Sequence, residues 1–425
     1  MGALLPLLFL MFAFVTYYTN GKKITHAVIF PLLWCVIMLF ESMHLFGLYK
    51  SSRETYAVIA IGVTSFLIGS AVCRRVVFSN SRSEVYSIRI GYYFLLSILT
   101  FALMLYPAIV NISALQLGDT SFTEIRQSFG NIYSSTLLKL LYNYIALPFS
   151  TACLPITAVI VFSDYDKRDK VYSILLTAVV VAEKIYIDAG RGIILYFFCM
   201  IFFAYKLLIP QKDRALKKKA KRYLTVLGIV AAVVYLSITY AREGAAVLRQ
   251  FYVYICGCVP FLDLSIANFN RSQQYLFGAG GFHGITQLFF TTFDNLKIIS
   301  YPAMAQLADD LYNKILVRQA IGSSLYFNAY ATAFYNVYLD GGIFAVFLEM
   351  FLYGGISRCV YNRVIREPRN YRAKAVYIFL LYGILFSFIR FQFALSKNIL
   401  AFIFIVLITK KEKQDNVSSS NQHSL

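Results

Sequence analysis

Apolar residues in this chain come in long continuous runs, and that feature limits the fold more than any other. Runs near the roughly 20 residues that a bilayer core requires of a helix fall at 2–18, 25–45, 56–73, 90–110, 140–162, 171–187, 191–209, 223–240, 334–357, 375–389 and 392–409. A barrel would alternate apolar and polar residues, and these runs do not. The expectation is an all-α polytopic membrane protein of eleven spans, with 59% of its 425 residues hydrophobic and 14% charged.

The net charge of +19 would fit a nucleic-acid binder, but the basic residues sit in alternate loops. Segments 19–24, 74–89, 163–170, 210–222, 358–374 and 410–413 hold 25 of the 40 lysines and arginines. The run "KDRALKKKAKR", Lys212 to Arg222, makes that side cytoplasmic by the positive-inside rule, so nucleic acid is not an expected partner. The uncharged start followed by Lys22 and Lys23 places the N-terminus outside and reads as a first span, not a removed signal. Seven scattered cysteines offer no metal-type spacing and read as inert; no metal or cofactor is expected.

This topology divides the chain into membrane spans over 1–240, a large outside loop over 241–333, further spans over 334–410 and a polar tail over 411–425, expected to be disordered. Within the loop, Phe251 to Phe269 is apolar enough to dip into the membrane, while Pro260 and Asp263 argue against a simple span. The hairpin "DAGRG" lies outside. There Arg191 opens the next helix, where the helix dipole favours an anion, and Asp188 is placed to orient it. The other reading is a pair that only closes a turn. Glu183 and Lys184, a turn deeper, need a reason to be in a span.

Arginine leads lysine on the outside face, and a guanidinium fork suits phosphate or carboxylate, although side chains at helix ends also snorkel. After the loop, Asn328, Thr332, Asn336 and Asp340 recur every fourth residue, which on a helix forms one polar stripe. Tyr326, Tyr330, Tyr335 and Tyr338 surround it. Hydrogen-bonding groups beside aromatic rings suit a sugar, and an interfacial aromatic belt would look similar. Glu349, deeper in the helix, reads as a helix–helix hydrogen-bonding group.

The motif "FYNVYLDGG", Phe334 to Gly342, the Gly-Arg turn, and a loop bearing "YICGCVPFLD" and "GAGGF" resemble the Wzy-type O-antigen and capsule repeat-unit polymerases. Where members often carry a second glycine three residues after the first, this chain has Ala345. The resemblance implies a bacterial plasma-membrane glycosyltransferase that joins undecaprenyl-diphosphate-linked oligosaccharides at the outer face without a nucleotide sugar. Membrane lipid and a chain-length regulator protein are further candidate partners. It also supplies a ligand for the outside charges. Arg191, Arg242, Arg249 and Arg318 are candidates to hold the diphosphate, and Asp188, Asn328, Tyr335 and Asn336 to complete substrate binding. His283, the only histidine of the loop, is a candidate base, with Asp263, Glu243 and Asp340 competing. The glycines from Gly278 to Gly284 permit a turn; no Gly-Lys-Ser/Thr makes them a phosphate loop. An O-antigen ligase would share these features, whereas a lipid-linked oligosaccharide flippase would spread its ionisable groups along a path between helices.

Overall fold

The computed structural model describes residues 2–76, 85–116, 133, 135–188, 192–208, 214–243, 247–271, 274–328 and 330–412. The chain is predominantly helical. Its helices are α1 (Leu5–Thr19), α2 (His26–Ser42), α3 (Arg53–Val72), α4 (Ile90–Gln116), α5 (Thr136–Phe162), α6 (Lys167–Ile187), α7 (Gly192–Leu208) and α8 (Arg214–Glu243). They continue as α9 (Val247–Cys256), α10 (Cys258–Asn270), α11 (His283–Asn295), α12 (Ala303–Lys314), α13 (Thr332–Arg366), α14 (Tyr371–Leu385) and α15 (Ser396–Ile408).

Each of the eleven apolar runs falls on a helix, but length separates them. Among the described residues α3, α4, α5 and α13 are long and apolar enough to cross a membrane, and α9 with α10, bent by 48°, makes a fifth if the pair is one broken span. The bend falls in the stretch where Pro260 and Asp263 argued against a simple crossing. The apolar helices α1, α2, α7 and α15 have 13 to 17 residues. At 1.5 Å per residue they reach roughly 20–25 Å, short of a hydrocarbon core of about 30 Å. The runs at 171–187 and 375–389 correspond to α6 and α14. The first begins and ends among charges, and the second has 15 residues and carries Arg372 and Lys374.

The helices group into two compact units that interleave along the chain. One comprises Met1–Phe78, Glu243–Asn362 and Gly383–Ser396; the other comprises Ser79–Arg242, Arg363–Tyr382 and Lys397–Leu425. In the first, Phe30, Trp34, Phe66 and Phe334 form a buried aromatic core between α2, α3 and α13, with ring centroids 4.4 Å apart for Phe30–Phe66 and 4.7 Å for Trp34–Phe334. Helices α3 and α13 approach through glycine, as small residues allow. A Cβ at Gly354 would lie 1.9 Å from the Phe66 carbonyl oxygen, and one at Gly69 would lie 1.9 Å from that of Phe351. Gly354→Ala is therefore expected to force the backbones apart and cost about 1–3 kcal/mol. Gly355→Ala, whose Cβ meets the movable Cys73 Sγ at 3.1 Å, should cost much less. Thermal unfolding of the two detergent-solubilised variants compares them directly, and equal midpoints would refute close helix contact as the reason for Gly354.

In the second unit Tyr93 of α4, Thr157 of α5 and Thr177 of α6 join their hydroxyls at 2.6 to 2.9 Å, a buried polar junction of three helices. Helix α5 contains a π-turn at Tyr142–Ala146. Strand β1 (Tyr86–Ile88) pairs antiparallel with β4 (Thr409–Lys411), so the chain is still in a strand at 411, where the polar tail was expected to begin. Residues 413–425 lie outside the described residues. The other two strands, β2 (Gln319–Ala320) and β3 (Tyr326–Phe327), form a short hairpin in the first unit.

Candidate functional site

Helix α13 is interrupted by Gly341 and Gly342, the latter at φ +63, which glycine adopts without a Cβ penalty. Asp340, the residue before the interruption, is buried and turns its carboxylate onto the glycine loop that precedes α11. Oδ1 accepts the amides of Gly278 and Gly280, both at 2.8 Å, and Oδ2 accepts that of Gly281 at 2.6 Å. The loop can present three amides to one carboxylate because Gly278 sits at φ +100. A Cβ at Gly280 or Gly281 would strike Asn336 and Glu349 respectively. The Glu349 carboxyl hydrogen-bonds Asp340 within the same helix, beside Gly281. Asp340, a candidate base on sequence grounds, is thus engaged as the anchor of the loop.

The anchored loop starts α11 at His283, which is 4% exposed. His283 Nε2 lies 3.2 Å from Asp309 Oδ1 on α12. The ring stacks on Tyr312, centroids 4.2 Å apart and planes inclined by 15°. Asp309 is held in turn: Gln287 donates to Oδ1 at 3.0 Å and Tyr301 to Oδ2 at 2.6 Å, while Ser396 donates to Gln287 at 2.8 Å. Tyr312 donates to the Gly280 carbonyl and accepts from the Asn336 amide, whose own oxygen accepts the Phe391 amide at 2.8 Å. Burial raises the Tyr312 phenol well above its ordinary pKa, with the Arg390 charge acting the other way, so its hydroxyl stays protonated. Burial alone would also raise Asp309. Hydrogen bonds from His283 and Tyr301 outweigh it and hold the carboxyl below the usual range.

A carboxylate against Nε2 favours the tautomer with the proton on that nitrogen, which leaves the Nδ1 lone pair as the basic site. Nδ1 is buried and has no hydrogen-bond partner among the described residues, an uncommon condition for a buried polar atom. The pair can therefore accept a proton at Nδ1 and stabilise the imidazolium through Asp309. Nδ1 is closed off from solvent, so a hydroxyl reaches it only when the groups around it move.

The other sequence candidates are placed as follows. Asp263 accepts the amide of Ser52 at 3.0 Å and the hydroxyls of Ser52 and Thr55, so it anchors the start of α3. Arg249 donates to the carbonyl and hydroxyl of Ser324, and Arg318 is exposed beside β2. Tyr335 and Asn336 are buried on α13, and Asn336 joins the His283 cluster through Tyr312. Asn328 leaves the expected stripe. Thr332, at φ +67, begins the helix, and Asn328 lies before it with its amide donating to the Leu316 carbonyl. In the second unit Asp188 is ion-paired with Lys184, 2.9 Å away and one turn earlier, and both Glu183 carboxyl oxygens are buried without a hydrogen-bond partner among the described residues. Arg191 and the side chains of Arg242 and Glu243 lie outside the described residues.

Asp309, Tyr312 and Gln287 were not legible as site residues. "QLADDLYNK" has the composition of an exposed helix, and nothing in its spacing pairs it with His283. Comparison with protein-family models, curated proteins and solved structures finds no match, so the site is defined by its own geometry.

Proposed function

We propose that the chain is a membrane glycosyltransferase that polymerises undecaprenyl-diphosphate-linked oligosaccharide repeat units at the outer face of the plasma membrane. It would have eleven spans, the N-terminus outside and the 210–222 loop inside. The observation that carries the reading is the His283–Asp309 pair, seated on a break in a membrane helix. From Ile343 to Ile365 is 23 residues, about 34 Å of helix, close to one bilayer core. Exposed apolar side chains begin directly after the break with Ile343 and Phe344, and the stretch ends among Arg363 and Arg366. The basic end is cytoplasmic by the positive-inside rule, which sets Asp340 and the loop that it holds at the outer boundary.

In this reading the acceptor sugar hydroxyl gives its proton to His283 Nδ1 as its oxygen bonds to the anomeric carbon of the donor. The bond between that carbon and the diphosphate oxygen breaks, and the leaving lipid diphosphate takes the electron pair. Arg249 and Arg318 on the same unit are the candidates to stabilise that charge. Purified protein in vesicles, given lipid-linked repeat units, should produce a ladder of multiples of the unit and free lipid diphosphate. Transfer only to an added lipid A core would make it a ligase. Passage of intact units across the bilayer without bond formation would make it a transporter, and either result overturns the proposal.

A further inference from the structure

Helix α11 carries His283 and Gln287 on one face, and on the opposite face its apolar side chains are exposed among the described residues. Phe282, just ahead of the helix, and Ile285, Phe289 and Leu296 are 48%, 49%, 49% and 62% exposed. At 100° per residue these positions, with the partly exposed Phe293, fall within an arc of about 80°. That arc holds no charge; the one charged residue between His283 and Asn295, Asp294, projects with His283 and Gln287. Phe277, at the head of the glycine loop, is 79% exposed and held at φ +46. A non-glycine residue in the left-handed region is uncommon, and this one turns an aromatic ring outward.

We infer that α11 and Phe277 lie in the outer lipid–water boundary, the apolar face in the acyl region and the His283 face turned toward the protein. Two observations select lipid as the occupant. The loop leading into α11 is bonded to Asp340, at the point on α13 where outward-facing apolar side chains begin, so α11 starts at that level of the bilayer. Its exposed face is also continuous in character with the neighbouring Ile343 and Phe344, aromatic and aliphatic without charge, as an interfacial helix requires. The lipid contact is independent of the reaction proposed above. It sets His283 within one helix diameter, about 10–12 Å, of the lipid surface, a depth that suits a substrate delivered sideways from the membrane.

Tryptophan placed at position 289 reports the depth. The chain has one native tryptophan, Trp34, which is fully buried, and its emission can be subtracted using the unsubstituted protein. Full-length Phe289→Trp and, separately, Ile285→Trp would be reconstituted in phosphatidylcholine vesicles with bromine placed high or low on the acyl chain. Both probes should emit to the blue of water-exposed tryptophan, lose most emission with bromine high on the chain, lose less with bromine near its end, and resist iodide. Quenching by iodide with no response to either brominated lipid would overturn the lipid contact. So would indifference to iodide and both lipids combined with cross-linking between copies, because the face would then be covered by a second chain. Agreement between the two positions guards against a local disturbance at either one.

Discussion

His283→Gln is expected to lower polymer formation by about 10²–10⁴-fold, the usual contribution of a positioned general base. The amide of glutamine can still donate to Asp309, so the anchored loop and the folded yield should survive. What it lacks is the basic lone pair that His283 keeps at Nδ1. The loss should therefore appear in kcat with little change in KM. Initial rates of repeat-unit joining by equal amounts of folded protein provide the measurement, and wild-type rates from the variant would remove His283 from the chemistry.

Asp309→Asn should cost a similar factor of about 10²–10⁴, because an amide no longer fixes the imidazole tautomer or supports its charged form. Asp309 does not touch substrate in this scheme, so a second readout is needed to separate positioning from packing. Its carboxyl is held below the ordinary range by His283 and Tyr301 against the opposing effect of burial. That contribution to stability is complete above the unfolded value near 3.9 and is lost as pH falls through the lower folded value. The unfolding midpoint of the wild type should thus fall more steeply below about pH 4 than that of Asp309→Asn. Parallel curves would show that the hydrogen bonds from His283 and Tyr301 do not hold Asp309 in solution.

The helices were legible because burial in lipid demands continuous apolar runs, and each run became a helix. Among the described residues four of these helices, or five with the bent pair, are long and apolar enough to cross a membrane; a run of apolar residues does not reveal where hydrogen bonding of the helix stops. Period-four spacing correctly joined Asn336 to Asp340 but carried the stripe back to Asn328. The Thr332 amide instead bonds the Ile389 carbonyl, and the preceding chain forms a hairpin. His283 was visible because it is the only histidine of its loop. Its partner, 26 residues along the chain, was not, because a contact between α11 and α12 leaves no periodic mark. Asp340 attracted notice as an acid. That its lone pairs would serve three glycine amides depends on backbone angles that the letters do not carry.

The capture of those amides also imposes an order on biosynthesis. Gly278 is bonded to a residue 62 positions later, so the ribosome has made the glycine loop and all of α11 before their anchor exists. At about 5–20 residues per second the interval is roughly 3–12 s. Through that time His283 and the phenylalanines beside it lack this anchor, and only synthesis of α13 as far as Asp340 provides it. A nascent chain arrested before residue 340 should therefore expose this stretch to protease or chaperone, and one extended beyond α13 should conceal it.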